Sequence, residues 1–217
     1  MTVHNLSKKN SILNQFVEEL RNVEVQNDRK RFRKNLERIG NVLAYELSKV
    51  LDYAPSKTQT PLGEAQADQI IDVPVIATIL RAGLPLQAGI NQFFNHADLA
   101  YISAFRRYTN EDDFEVIVEY MACPPLAGRV LIIADPMLAT GRSLELCYNE
   151  FMKLGNPKAV HLVSAIGSDA GVKYVQETIK DATLWIAAID KDLDQHGYIV
   201  PGLGDAGDLS FGEKMPQ

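Results

Sequence analysis

The chain has 217 residues, 46% hydrophobic and 23% charged, with a formal net charge of −6. Those proportions exclude an intrinsically disordered chain and supply enough apolar side chains for a sizeable buried core. The acidic balance speaks against a nucleic-acid partner, because general binding relies on clustered Lys and Arg. Met1 to Asn10 contain no apolar signal core, and no run approaches the roughly 18 apolar residues of a membrane span. A cytoplasmic protein without a membrane partner is therefore expected. The only cysteines, Cys123 and Cys147, stand at no spacing that indicates a metal site or a redox pair.

Along the chain, Ile12, Phe16 and Leu20 recur every four residues and predict a helix from Ser11 to Arg21. Asp28 is placed to cap a second helix, whose apolar positions Phe32, Leu36, Ile39, Leu43, Leu47 and Val50 advance by three or four. Residues 1–60 thus read as an N-terminal helical layer, with the polar stretch from Asp52 to Pro61 as a connection. The rhythm then changes. Asp72 to Leu80, Arg129 to Ala134, Ala159 to Ala165 and Thr183 to Ile189 are short apolar, β-branched runs that read as buried strands. Amphipathic segments from Ser143 to Leu154 and from Ala170 to Lys180 lie between the later strands. That alternation predicts an α/β fold with a central, mostly parallel sheet flanked by helices. Residues 99–121 differ: Leu99 to Arg106 and Phe114 to Met121 flank a turn-rich Tyr-Thr-Asn-Glu-Asp-Asp, which predicts an antiparallel β-arm with Glu111, Asp112 and Asp113 at its solvated tip.

The most informative segment is Asp135-Pro-Met-Leu-Ala-Thr-Gly-Arg-Ser143, between a predicted strand and a predicted helix. A carboxylate at the strand end, a loop of small and hydroxyl residues, and then a helix N-terminus place free N–H groups and a positive dipole end around an anion. Thr140 and Ser143 can add hydroxyl donors, and Gly141 lets the backbone approach closely. A lone Thr-Gly-x-Ser would be no more than a helix cap. The loop lacks the Gly-Lys-Ser/Thr ending of a P-loop and the Gly-x-Gly-x-x-Gly of a dinucleotide site, which points away from triphosphate hydrolysis and hydride transfer.

These residues resemble the 5-phosphoribosyl pyrophosphate (PRPP) loop of uracil phosphoribosyltransferases, which have a type I phosphoribosyltransferase fold. Ile79-Leu-Arg-Ala-Gly83 resembles that family's pyrophosphate loop, and Gly197-Tyr-Ile-Val-Pro-Gly-Leu-Gly-Asp-Ala-Gly-Asp208 resembles its uracil-binding segment. The resemblance runs from about Val73 to Gly212. It implies a single phosphoribosyltransferase domain over 1–217, with residues 197–212 as the uracil-binding segment, that converts uracil and PRPP into UMP and pyrophosphate in pyrimidine salvage. It further implies that Arg81 and Arg106 hold phosphoryl oxygens, as bidentate guanidinium groups can. PRPP would meet Asp135, Pro136, Met137, Leu138, Ala139, Thr140, Gly141, Arg142, Ser143 and Asp205. Uracil would meet Tyr198, Ile199, Gly204, Asp205 and Ala206, largely through backbone groups. Arg81, Asp135 and Asp205 are the expected catalytic set.

Mg²⁺ is the expected cofactor, held mainly through PRPP and water near Asp205 rather than by direct protein ligands. Homodimers or larger homo-oligomers, and GTP as an effector, are further implications of the resemblance. The chain departs from the family pattern at Arg142, where a small residue is usual, and at Leu209-Ser210, where a basic residue is usual. No general base is assigned, since His196 reads first as a loop histidine. The competing readings are a phosphoribosyltransferase for another base and a regulatory nucleotide- or RNA-sensing protein on the same fold.

Overall fold

The computed structural model describes residues 1–108 and 114–214, with side chains outside 104–108 and 114–116. Strand β1 (Thr2–Asn5) precedes helices α1 (Ile12–Arg21) and α2 (Arg29–Ser48), a hairpin of β2 (Tyr53–Thr60) and β3 (Gly63–Ile70), then β4 (Val75–Ile79) and α3 (Leu84–Asn91). Next come β5 (Asp98–Tyr108), β6 (Phe114–Ala122), β7 (Val130–Ala134), β8 (Met137–Leu138), α4 (Arg142–Leu154) and β9 (Ala159–Ser168). The chain continues through α5 (Asp169–Thr178), β10 (Ala182–Asp190), β11 (Asp192–Leu193), β12 (Ile199–Val200) and α6 (Ala206–Phe211).

The main sheet has the order β1-β10-β9-β7-β4-β5-β6, and β8 adds to β9. Its neighbours are parallel apart from the antiparallel β5–β6 pair. Strands β4 and β7 are buried at every residue, which explains why they read as continuous apolar runs instead of alternating ones. Leu20, Leu36, Ile39, Leu43 and Leu86 from α1, α2 and α3 pack with Ile76 and Ile132 in one core. Leu144, Phe151 and Val175 from α4 and α5 pack with Ile133 and Leu162 in the other.

Four elements differ from the expectations. Helix α1 buries Leu13, Val17 and Leu20, while Ile12 is 58% exposed and Phe16 is half-buried under the Arg38 guanidinium. A 4-4 spacing drifts by about 40° per step around a 3.6-residue helix, whereas the 4-3 spacing of Leu13, Val17 and Leu20 stays on one face. In the same way Val50 falls beyond the end of α2 and is exposed. The supposed connection after Asp52 is strand β2, paired with β3 from Tyr53↔Ile70 to Thr60↔Gly63. Both strands are polar and largely exposed, so backbone hydrogen bonds build them and no apolar alternation announces them. Residues Thr2–Asn5 are likewise a sheet strand beside β10, so the first sixty residues are not uniformly helical.

The antiparallel β5–β6 arm grows out of the core. Asp98 to Ile102 run parallel to β4 inside the main sheet, and the register shifts between Ser103 and Ala104 as the pair leaves it. Glu111, Asp112 and Asp113 lie outside the described residues.

From β4 the chain passes through α3 to β5 on one side, while from β7 it passes through α4, β9 and α5 to β10 on the other. The direction of winding thus reverses between β4 and β7. In open parallel sheets the crevice beyond the carboxyl ends of such a strand pair is where ligands sit.

Candidate active site

The two segments that leave β4 and β7 are stitched together at their bases. A Cβ at Gly83 would lie 2.7 Å from the Ala134 carbonyl oxygen and would collide with the Thr78 hydroxyl, so only glycine lets the turn that bears Arg81 lie this close to the end of β7. Arg81 Nη2 donates to Asp208 Oδ1 and to the Gly212 carbonyl, both at 3.2 Å. Its Nε is buried with no hydrogen-bond partner.

The Asp135 loop is pinned from behind. The Asp135 N–H donates to the Val163 carbonyl, and the Pro136 carbonyl accepts from Ala165 and Ile166. Met137 and Leu138 form β8 against Ile166 and Gly167, and the Ser168 hydroxyl donates to the Ala139 carbonyl at 2.7 Å. The loop then turns at Gly141, with φ of +78°, and α4 starts without a side-chain cap. The Arg142 N–H reaches the Thr140 hydroxyl at 3.5 Å, and the amide groups of Ser143 and Leu144 are left for a ligand. A cavity of about 80 Å³ lies there, lined by Asp135, Met137 to Gly141, Ser143 and Leu144.

Of the expected PRPP contacts within this loop, Pro136 and Arg142 do not line the cavity, and Arg81 and Asp205 lie outside it on the neighbouring segments. Pro136 is buried with its carbonyl committed to β9, and Arg142 is the exposed first residue of α4. Gly141, not Arg142, carries the left-handed backbone of the loop. Arg106 sits opposite Val116 on the arm, and its side chain lies outside the described residues.

Burial raises the Asp135 carboxyl from 3.8 to about 7, against a hydrogen bond from the Met137 backbone. Burial also pushes the Cys147 thiol to about 12, with the Asp135 charge adding to the shift. Cys147 is a buried core thiol.

The C-terminal segment closes the crevice. An ideal Cβ on Gly197 would be 3.7 Å from Thr140 Cγ2, and one on Gly207 would be 3.9 Å from Ala82 Cβ, so this segment lies beside both loops. Asp205 caps α6, its Oδ1 accepting from the Asp208 N–H at 2.9 Å. Ile199 and Ala206 are buried, and Tyr198 is 46% exposed. Asp194 Oδ1 accepts from the backbone N–H groups of both His196 and Tyr198, which fixes the turn between β11 and β12. Sequence reasoning missed Asp208 as the partner of Arg81. The two are 127 residues apart, and no local pattern links them. Among the described residues no group of three or more His, Cys, Asp or Glu side chains could hold a metal ion.

Residues 7–213 match the family described as "Uracil phosphoribosyltransferase". The chain belongs to that family. A curated uracil phosphoribosyltransferase from Porphyromonas gingivalis is 50% identical over 216 residues, covering 99% of this chain and all of the relative. One from Thermococcus kodakarensis is 40% identical over 187 residues, covering 85% of this chain and 80% of the relative. The solved AQ2163 protein from Aquifex aeolicus superposes with a TM-score of 0.85 at 30% identity, covering 97% of this chain and 98% of its own. A hypoxanthine phosphoribosyltransferase from Staphylococcus aureus shares the fold at a TM-score of 0.53 and 12% identity, covering 74% of this chain and 76% of its own. The chain is thus a pentosyltransferase of pyrimidine salvage that makes UMP from uracil and PRPP. No helix is long and apolar enough to cross a membrane among the described residues.

Proposed function

We propose that the crevice between Arg81, the Asp135–Ser143 loop and the Tyr198–Ala206 segment carries out this transfer. The observation that carries the assignment is the proximity of Gly197 to Thr140, so close that an added Cβ would meet Thr140 Cγ2 at 3.7 Å, which sets the base-side segment beside the phosphate-side loop. In this reading the uncapped N-terminus of α4, with Thr140 and Ser143, takes the 5′-phosphate of PRPP, and Asp135 accepts hydrogen bonds from the ribose hydroxyls. Arg81 takes the pyrophosphate, and its partnerless Nε supports that role. Backbone groups of Ile199 and of Gly204, Asp205 and Ala206 pair with the imide edge of uracil, while Tyr198 flanks the ring. Cytosine inverts one donor and one acceptor along that edge and would leave buried backbone groups unpaired.

Uracil N1 forms a bond to the anomeric carbon of the ribose as the bond from that carbon to the pyrophosphate oxygen breaks. The electron pair leaves with pyrophosphate, and the N1 proton passes to the departing group. Positive charge on the ribose and negative charge on the leaving group both grow, so fixed cations and dipoles matter more than a protein nucleophile. The donor set present suits Mg²⁺ held through substrate oxygens and water, with Asp205 as an outer anchor, because its second carboxylate oxygen is free of the helix cap. When bound, Mg²⁺ neutralises the developing pyrophosphate charge.

The reading extends, on the family resemblance, to a cytoplasmic homodimer or larger homo-oligomer, and the exposed β2–β3 hairpin leaves surface for such a contact. GTP as an effector rests on the family resemblance, and light scattering with and without GTP tests both points.

Asp205→Ala and Asp205→Ser separate the cap from the chemistry, since Ser keeps the helix cap. Both should lower UMP turnover about 100-fold with melting of the Ser variant unchanged. Full turnover in the Ser variant would reduce Asp205 to a capping residue and overturn its proposed role.

A further inference from the structure

Gly202 lies between the two sets of backbone groups that face uracil in this reading, and its own backbone is held by a pair of charges from distant parts of the chain. Arg21 ends α1, and Asp190 ends β10. Their side chains form a bidentate ion pair, Nη1 to Oδ2 at 2.7 Å and Nη2 to Oδ1 at 2.8 Å. Asp190 Oδ2 also accepts from the Gly202 N–H at 3.1 Å, and Arg21 Nη1 also donates to the Gly202 carbonyl at 3.3 Å. Both polar groups of one peptide residue are thus gripped by one ion pair.

The grip is well enclosed. The Asp190 side chain is 9% exposed and that of Arg21 is 22% exposed. The Arg21 carbonyl accepts from the buried Gln26 amide, so the arginine is anchored at its backbone too. Gly202 has φ of +58°, and a Cβ there would collide with the Ile199 carbonyl, so the residue is folded tightly back over Ile199. Leu203 and Ile199 are buried on either side. A shift of Gly202 would therefore carry Ile199 and Gly204 with it.

We propose that Arg21 and Asp190 are positioning residues for base recognition: they fix Gly202 so that the backbone groups of Ile199 and Gly204 to Ala206 meet uracil. The proposal rests on the assignment of the Tyr198–Ala206 segment to uracil. A bidentate guanidinium–carboxylate pair is planar and directional, so it sets an orientation as well as a distance. Neither residue touches the reacting atoms. Their effect falls on the base, while the PRPP loops stand on β4 and β7 and the Asp205 carboxylate keeps its own hold through the Asp208 N–H and the Asp208–Arg81 pair.

The test compares Arg21→Met, Arg21→Lys and Asp190→Asn in the full-length enzyme with saturating Mg²⁺. The Met and Asn variants should raise KM for uracil about tenfold, the worth of one charge-assisted hydrogen bond, with KM for PRPP and kcat changed by less than about twofold. Arg21→Lys keeps the charge but loses the fork, so its uracil KM should fall between wild type and Arg21→Met. The double variant should be no worse than the worse single one, because both break the same unit. An unchanged uracil KM, with activity falling only in step with the folded fraction seen by circular dichroism, would overturn the proposal. So would equal increases in both KM values. If Arg21→Met does not fold, the conservative Lys variant still decides the point. Ala206→Leu, which fills the segment itself, is the control. If it raises uracil KM while the Arg21 and Asp190 variants do not, the clamp is overturned and the uracil assignment stands. If neither moves uracil KM, both fall.

Discussion

Asp135→Asn should leave the empty enzyme more stable at pH 8 and less able to use PRPP. In the folded chain burial raises this carboxyl from 3.8 to about 7, so between those values the native state holds a proton that the unfolded chain has lost. Stability therefore falls as pH rises from about 4 to about 7 and stays at the lower level above it. Three pH units at 1.36 kcal/mol each set a ceiling of about 4 kcal/mol. The half-buried position allows water and loop relaxation to reduce this to about 1–2 kcal/mol. Asn is neutral at every pH and can still accept from the Met137 backbone. Urea unfolding at pH 4 and pH 8 measures the effect. Near-equal stabilities are expected at pH 4, and at pH 8 the variant should be more stable. A difference that is the same at both pH values, or of opposite sign at pH 8, would refute the role of burial. In the same variant, kcat/KM for PRPP should fall about 10- to 100-fold, since an amide replaces a charged acceptor for the ribose hydroxyls.

Other outcomes follow from the same geometry. Gly141→Ala places a methyl group 2.9 Å from Val175 Cγ1 and 3.1 Å from the Gly171 carbonyl at φ of +78°, so it should destabilise the fold by about 1–2 kcal/mol and raise KM for PRPP. Thermal melting and initial rates at varied PRPP measure the two effects together. His161 is buried, and its Nδ1 accepts from the Trp185 indole at 3.2 Å. Burial lowers its pKa from 6.5 to about 4, with nearby His4 adding to the fall and Asp72 opposing it. The unfolded chain takes up this proton first, so stability is lost as pH falls from about 6.5 to about 4, by up to about 3 kcal/mol. His161→Gln should flatten that part of the stability–pH curve in urea titrations. An unchanged slope would show that His161 titrates normally in the folded state.

The sequence by itself determined the features that are local. The run from Val130 through Asp135 to Ser143 is a strand, a loop and a helix start, and each step is encoded by neighbours within a few residues. Buried strands β4, β7, β9 and β10 were legible for the same reason, as continuous apolar runs that demand cover on both faces. The C-terminal glycines were legible as a segment, because the turns at Gly202 and Gly204 need backbone angles that other residues avoid.

Only the tertiary structure decided the rest. Which stripe of α1 faces inward depended on what it packs against, and the sequence offered two overlapping stripes. The β2–β3 hairpin buries too little apolar surface to leave a periodic trace, since its pairing is carried by the backbone, which every residue shares. The contacts that complete the site, Arg81 with Asp208 and Arg21 with Asp190 and Gly202, join residues 127 to 181 positions apart. Single charged residues carry no pattern of their own. Their meaning comes from the partner that the folded chain brings within hydrogen-bond reach, in surroundings dry enough for that bond to hold a backbone in place.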